Sequence, residues 1–183
     1  MRRRDFIRYL GLGSVAVTIP EAMHAVPAAA TTLCSDKKTK PISGSWFEFQ
    51  HSAAEGGYWN EALAHFTADQ WRRKVFEIRE VGMEYLVLMG VARAGKPFYP
   101  SKIAPRIPMG CDDPLEAVLS AADECGIKFF VSNDFWGDLD AYNMMLDKGV
   151  QTVRFQAMEE IAERYSHHAC FYGWYFPNEA MLQ

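Results

Sequence analysis

The sequence predicts an α/β fold of the (β/α)8 TIM-barrel type, of which the chain supplies the N-terminal half. Strands that are apolar throughout alternate with amphipathic helices, a pattern typical of β-α-β units and a parallel sheet. An open doubly wound sheet is the competing architecture, but no strand is followed by a Gly-rich phosphate loop such as GxGxxG or GxxxxGK. A complete barrel takes about 250 residues, whereas the chain has 183.

The first predicted unit consists of a strand, a helix and a second strand. Residues 42–50 are the predicted strand β1. Thr67 and Gln70 form a capping box that opens helix α1, and Gly82 ends this helix where a left-handed residue is favoured. The continuous apolar run Tyr85–Gly90 is the predicted strand β2. The apolar face of α1 is predicted to consist of Trp71, Val75, Ile78 and Val81.

The same helix-then-strand pattern recurs twice. Asp113–Glu116 is a second capping box, with proline at the first helical position, and Gly126 closes the helix α2 that it opens. Strand β3 is predicted over Ile127–Val131. Helix α3 is predicted over Val153–Tyr165, and strand β4 over Phe171–Phe176. The predicted order is therefore β1-α1-β2-α2-β3-α3-β4.

The first 30 residues are typical of a twin-arginine signal peptide. Arg3–Arg8 contains two arginines followed by Asp, Phe, Ile and Arg, and Ala28–Ala30 offers a small-residue cleavage site. Residues 31–40 are a predicted linker, and residues 41–183 are the predicted domain. We therefore expect the twin-arginine export machinery as a partner and a periplasmic or extracellular location. The alternative is a basic N-terminus on a cytosolic protein.

Charge and composition exclude one class of partner. Residues 1–30 hold four of the 19 Lys and Arg and two of the 23 Asp and Glu, which leaves 15 bases and 21 acids. A net charge of −6 without a basic cluster argues against nucleic acid as a partner. No cofactor motif is present, and no cofactor is predicted. The four cysteines are interpreted as free thiols whose spacing matches no zinc site, although Cys125 and Cys170 both precede strands and could be neighbours.

Glu179 is the predicted catalytic residue. Barrel enzymes place their chemistry at the carboxyl ends of strands, and β4 delivers Asn178 and Glu179 there. Desolvation beside aromatic rings would raise the pKa of an inward glutamate, which suits a general acid/base for glycosidic bonds. Such cleavage also needs a second carboxylate. Tyr175 should share the inward face, and Trp174 and Phe176 should pack against helices. The alternative is a solvated Glu179 without a role.

Polar and aromatic residues after the other strands are the predicted substrate-binding set. Glu48 and Gln50 should point into the barrel, because the phenylalanines that alternate with them belong against helices. Asn133 and Asp134 follow β3 directly. Glu48 could instead belong to a structural ion pair, and Asp134 could simply begin a turn. The rings that would suit stacking on sugar faces are Trp59, Tyr99 and Trp136, although each ring taken alone favours a packing role.

Five segments carry a resemblance to a known family: Pro41–Phe47, Trp71, Val81–Met83, Ala121–Ile127 and Tyr172–Tyr175. In order and spacing they resemble an uncharacterised bacterial domain-of-unknown-function family, whose members are exported, glycosidase-like TIM barrels. The resemblance covers nearly all of the chain after the linker. It implies the same fold and a carbohydrate substrate or ligand.

The pair Asn178-Glu179 is similar, more distantly, to the Asn-Glu pair that ends strand four in the large clan of retaining glycoside hydrolases. That resemblance implies that Glu179 is the acid/base and that Asn178 contacts the sugar. The nucleophile of the clan is a second glutamate at the end of strand seven. The predicted elements include no strand seven, so the sequence departs from the clan at this point. A missing C-terminal barrel half is therefore an expected partner.

These features predict an exported glycoside hydrolase-like protein that acts on a carbohydrate, with Glu179 as general acid/base. One alternative is a non-catalytic carbohydrate-binding barrel. The other is a metal-dependent sugar isomerase or lyase on the same scaffold, in which His51, Asp134 and Glu179 would converge on the metal. Their spacing does not demand a metal, and no metal ligand is predicted.

Overall fold

The structure, a computed structural model, describes residues 41–50, 61–134, 136–137 and 147–176. The chain divides into two units, residues 1–39 and residues 40–183, and every described residue belongs to the second unit. Among the helices of this described part, none is both long and apolar enough to cross a membrane.

Four parallel strands form the main sheet: β1 (Gly44–Phe47), β2 (Tyr85–Leu88), β3 (Lys128–Ser132) and β4 (Phe171–Tyr175). They lie side by side in chain order, and each pairs in parallel with the next. A doubly wound sheet reverses its strand order at a switch point, and these four strands show no reversal. The predicted α/β fold with a parallel sheet is confirmed.

One helix precedes each of the last three strands of the sheet: α1 (Ala68–Glu80), α2 (Pro114–Cys125) and α3 (Lys148–Tyr165). A 3-10 segment, Glu61–His65, comes before α1. This alternation of helix and strand is what allows neighbouring strands to run in the same direction, because each helix returns the chain to the starting edge of the sheet.

Local capping explains where α1 begins and where α1 and α2 end. The Thr67 hydroxyl accepts the Gln70 N–H, and the Gln70 side chain accepts the Thr67 N–H, so the capping box predicted for α1 is confirmed. Gly82 and Gly126 follow the two helices with φ of 95° and 71°. This left-handed conformation is costly for residues with a Cβ atom, which explains why glycine ends both helices.

The helices cover one face of the sheet. Strand residues Phe47, Leu86, Leu88, Phe129 and Val131 are at most 7% exposed and belong to one apolar cluster with side chains of all three helices. The helix residues of this cluster include Trp71, Val75, Val118, Leu119, Ala157 and Ile161. Removing this apolar surface from water is the main stabilising contribution to the fold.

The opposite face of the sheet is concave and rich in aromatic side chains. The rings of Trp46 on β1 and Tyr175 on β4 have centroids 5.1 Å apart, although these are the two edge strands of the sheet. In a flat sheet, three strand spacings of about 4.8 Å would separate them by about 14 Å. The sheet therefore curls toward this face, as a barrel wall does.

Several predicted details are wrong. Strand β1 has four residues instead of nine, because its pairing with β2 ends at Phe47. Val81 is 73% exposed, since it follows the last residue of α1 and no longer continues the helical face. Phe176 is 55% exposed instead of packed against a helix, because β4 ends one residue earlier. Helix α3 begins five residues before its predicted start, where Asp147 accepts the Val150 N–H at 2.8 Å.

A short antiparallel hairpin, Ala92–Arg93 with Lys96–Pro97, follows β2 and was not predicted. Its two turn residues, Ala94 and Gly95, both have positive φ, at 48° and 73°. Such turns match the twist of a hairpin and usually carry Asn-Gly or Asp-Gly. Alanine at the first position removes the usual sequence signal.

Candidate functional site

The predicted substrate-binding residues that the structure describes lie at the carboxyl edge of the sheet. Glu48 and Gln50 follow β1, and Asn133, Asp134 and Trp136 follow β3. The Asn133 N–H donates to the Tyr175 carbonyl at 3.2 Å, which joins the carboxyl ends of β3 and β4. Because the strands are parallel, this edge collects residues from distant parts of the sequence.

Asn133 is buried, with only 1% of its surface exposed. Its side-chain nitrogen lies 3.5 Å from the Met158 sulfur. Its side-chain oxygen, by contrast, is buried without a hydrogen-bond partner among the described residues. A buried polar oxygen that lacks a partner costs free energy, so Asn133 has an unused acceptor at this edge.

Asp134 forms a buried ion pair with Arg154 of α3. The carboxylate oxygen Oδ2 lies 2.8 Å from the guanidinium Nη2, and the two side chains are 5% and 4% exposed. Burial raises the pKa of the Asp134 carboxyl, and the hydrogen bond and charge of Arg154 oppose this without cancelling it. The Asp134 carbonyl also accepts the N–H groups of Val91 and Ala92 at 3.0 and 3.3 Å. Asp134 therefore fastens both α3 and the segment after β2 to this edge.

Trp136 is buried, with 5% of its surface exposed. Its ring makes an edge-to-face contact with Tyr99 at 6.5 Å between centroids. The indole N–H is buried and has no hydrogen-bond partner among the described residues. The Gln50 side-chain oxygen, which follows β1, is also buried without a hydrogen-bond partner among the described residues.

Tyr99 is fully buried, so its ring has a packing role and is not a platform for sugar. The ring packs between Trp136 and Tyr165, and its hydroxyl donates to Glu160 at 3.1 Å. Burial is the main cause that raises the pKa of the Tyr99 hydroxyl, and the charge of Glu160 adds to it. Both effects keep Tyr99 protonated as a donor.

Glu160 is a buried carboxylate that sequence reasoning missed. In addition to Tyr99, it accepts hydrogen bonds from the Ser101 hydroxyl at 2.6 Å and the Lys102 N–H at 2.7 Å. These contacts fasten the loop after the hairpin to α3. The available signal was helical spacing, since Glu160 shares the apolar side of α3 with Ala157 and Ile161.

The concave face of the sheet carries an aromatic surface that extends from the amino ends of β2 and β4 to the carboxyl end of β4. Trp46 and Tyr172 are 57% and 54% exposed. The Tyr172 ring contacts Phe130 at 5.2 Å and Tyr85 at 6.3 Å, and Tyr175 contacts Trp46. Aromatic rings of this kind combine apolar faces with polar groups, a combination that suits stacking on sugar rings.

The remaining predicted site residues, Trp59, Asn178 and Glu179, lie outside the described residues, as does His51. Their roles stay predictions. Glu48 is described and half-buried at the end of β1. The structure therefore brings together Asn133, Asp134 and Trp136 at the carboxyl end of β3. The residues predicted to act after β4, Asn178 and Glu179, lie outside the described part of the chain.

Comparison with known families gives one match over most of the chain. The model of a domain of unknown function, DUF4434, matches residues 42–183. No curated protein matches the sequence.

Comparison with solved structures finds glycosidases. A protein from Bacteroides thetaiotaomicron VPI-5482, assigned as an alpha-L-fucosidase, superposes with a TM-score of 0.55 and 15% identity over 85% of this chain and 46% of its own. An endo-1,4-beta-mannanase from Rhizomucor miehei gives a TM-score of 0.47 and 10% identity, over 66% of this chain and 42% of its own. A GH29 alpha-L-fucosidase from Bacteroides thetaiotaomicron gives a TM-score of 0.45 and 18% identity, over 73% of this chain and 38% of its own.

The likeness to the first of these structures concerns the fold. At 15% identity it shows an α/β arrangement with a parallel sheet that this chain shares with a glycosidase-like protein. The chain spans about half the length of that protein.

Proposed function

The chain belongs to the DUF4434 family, and we propose that it is an exported glycoside hydrolase-like protein that binds a carbohydrate at the carboxyl edge of its sheet. The observation that carries this proposal is the set of unused polar groups at that edge. Gln50, Asn133 and Trp136 each keep a buried oxygen or N–H that has no partner among the described residues. A sugar presents hydroxyl groups that both donate and accept, so it can satisfy all three.

We assign the general acid/base role to Glu179 and the sugar-contacting role to Asn178. The hydrogen bond from Asn133 to Tyr175 supports this assignment, because it holds the carboxyl end of β4 beside the unused acceptor of Asn133. Glu179 follows Tyr175 by four residues in the sequence. In this proposal Glu179 protonates the glycosidic oxygen and Asn133 binds a neighbouring hydroxyl.

The remaining part of the catalytic machinery belongs, in this proposal, to the other half of a (β/α)8 barrel. The curled sheet and its exposed aromatic concave face support a barrel wall whose interior would be closed by further strands. The likeness to a structure about twice as long supports the same idea. The second carboxylate that hydrolysis needs would come from those strands. Export through the twin-arginine route to the periplasm or beyond is part of the same proposal.

A non-catalytic carbohydrate-binding barrel is the second candidate. It is favoured by the ion pair that Asp134, the buried carboxylate at this edge, forms with Arg154. Because Asp134 is already paired with Arg154 at 2.8 Å, it is not available as the second carboxylate of a hydrolase. The unused polar groups and the aromatic surface would still bind a sugar without a reaction.

The deciding experiment compares Glu179→Gln with the native full-length protein on a panel of aryl glycosides that includes α-L-fucosides and β-mannosides. We expect hydrolysis to fall by about 10²–10⁴-fold with sugar affinity retained. Glu159→Gln is the matched control, because Glu159 is an exposed glutamate of α3, and it should hydrolyse at the native rate. Unchanged hydrolysis in Glu179→Gln contradicts the catalytic assignment. Sugar binding without any hydrolysis in the native protein supports the binding barrel instead.

A further inference from the structure

A second group of polar side chains lies at the amino edge of the sheet, where the turn after α3 enters β4. His168 and Cys170 belong to this turn, and Asp123 and Glu116 belong to the neighbouring helix α2. His168 and Cys170 are 6% and 5% exposed. Barrel folds keep their chemistry at the carboxyl edge, so this cluster is separate from the candidate carbohydrate site.

Three potential metal ligands converge in this cluster. The Nδ1 atom of His168 lies 2.7 Å from the Asp123 carboxylate oxygen Oδ2. The other Asp123 oxygen accepts the backbone N–H of Cys170 at 2.6 Å, which fixes the carboxylate beside the thiol. One ligand atom each from Asp123, His168 and Cys170 lie within 4.8 Å of one another. A metal ion can be bound there after small adjustments of three side chains.

The far side of the His168 ring has the partner that a metal-binding histidine usually has. Its Nε2 atom lies 3.2 Å from a carboxylate oxygen of Glu116. Histidines that bind a metal through one nitrogen commonly donate the other N–H to a carboxylate, which fixes the ring orientation and the tautomer. The structure forms only one half of the capping box predicted for α2, and this contact explains why. The Asp113 side chain accepts the Glu116 N–H at 3.0 Å, whereas the Glu116 carboxylate lies against His168.

We propose that Asp123, His168 and Cys170 bind one Zn²⁺ ion, with Glu116 orienting the histidine. A ligand set of thiolate, imidazole and carboxylate suits zinc, whereas Mg²⁺ and Ca²⁺ prefer oxygen ligands alone. On binding, the Cys170 thiol gives its proton to solvent, and the hydrogen bond that it makes to the Leu119 carbonyl at 3.2 Å is exchanged for a zinc–sulfur bond. Water completes the tetrahedral set. The ion would join α2 to the entry of β4.

The test uses the full chain, freed of metal and titrated with Zn²⁺ alone by calorimetry and with Co²⁺ alone by absorption spectroscopy. We expect one ion per chain and, with Co²⁺, a near-ultraviolet charge-transfer band from a thiolate ligand. Cys170→Ala should remove both. Glu116→Ala should weaken Zn²⁺ affinity by about 10–100-fold, the range for lost carboxylate partners of metal-binding histidines.

Cys111→Ala and Cys34→Ala are the controls. Cys111 is a buried free thiol that is not part of the cluster, and Cys34 lies outside the described residues. Both variants should bind Zn²⁺ as the native chain does. Native affinity in Cys170→Ala, or loss of binding in Cys34→Ala, overturns the proposal, as does a native chain that binds no Zn²⁺.

A second measurement covers the case in which Cys170→Ala does not fold. In the native chain, Zn²⁺ should slow the alkylation of Cys170 at least tenfold relative to that of Cys111. Mass spectrometry of the two cysteine-containing peptides measures both rates. Equal alkylation of the two thiols with and without Zn²⁺ contradicts the site. Neither measurement depends on carbohydrate binding.

Discussion

The two edges of the parallel sheet differ in how completely their buried polar groups are satisfied. At the amino edge, His168 has a carboxylate on each side, and Asp123 is bonded through both oxygens. At the carboxyl edge, Gln50 and Asn133 keep buried oxygens without a partner among the described residues. Native proteins satisfy nearly all such groups. The difference therefore separates an edge whose buried polar groups are bonded within the fold from the edge at which we propose that a ligand binds.

The carboxyl edge nevertheless contains one buried ion pair, that of Asp134 and Arg154. Replacing a buried ion pair with apolar residues is often neutral, but removing one partner leaves an uncompensated charge in the interior. The comparison between edges predicts that disrupting this pair damages stability, whereas removing the unused polar groups beside it does not.

The largest expected effect is that of Arg154→Met. This variant leaves the Asp134 carboxylate, 5% exposed, without its cation, and we expect the free energy of unfolding to fall by about 3–5 kcal/mol. Urea denaturation of the variant and the native protein measures this difference. The double variant Arg154→Met with Asp134→Leu should recover most of the loss.

Arg164→Met is the matched control for the same helix. Its ion pair with Asp113 is 37% exposed on the arginine side, and pairs of this kind contribute at most about 1 kcal/mol. If Arg154→Met costs no more than Arg164→Met, the pair does not hold this edge together.

A smaller effect is expected at the amino edge for Asp123→Ala, measured with a metal chelator present. The variant leaves the buried Cys170 N–H and one side of His168 without an acceptor, and we expect a loss of about 2–3 kcal/mol. Asp112→Ala is the comparison, because the Asp112 carboxylate is fully exposed and its removal should change the free energy of unfolding much less. Equal losses in the two variants would show that the amino-edge network does not stabilise the fold.

Features encoded by neighbouring residues were predictable from the sequence. The capping box at Thr67 and the left-handed glycines Gly82 and Gly126 depend on three or four consecutive residues. The alternation of apolar strands and amphipathic helices gave the parallel sheet in its observed order. The hairpin turn at Ala94 was missed because alanine occupies a conformation that usually selects glycine or asparagine.

Features that join distant residues were not predictable. Glu160 meets Tyr99 across 61 residues, and His168 meets Asp123 across 45. Spacing along the sequence gave no zinc motif, since linear patterns detect ligands in one segment and the proposed ligands come from a helix and a turn. The positions of Asn133 and Asp134 were predicted, because residues directly after a strand must lie at its carboxyl end. The partner of Asp134 in α3, Arg154, could not be predicted from that rule.

The most direct test of the central claim, that the carboxyl edge binds carbohydrate, is the sugar affinity of Asn133→Leu relative to the native protein. The removed oxygen has no partner among the described residues, so we expect the free energy of unfolding to change by less than about 1 kcal/mol. Affinity for the sugar that binds the native protein should fall about tenfold or more, the equivalent of about 1.4 kcal/mol. Gln156→Leu, at an exposed position of α3, should bind as the native protein does. Native affinity in Asn133→Leu would contradict the account.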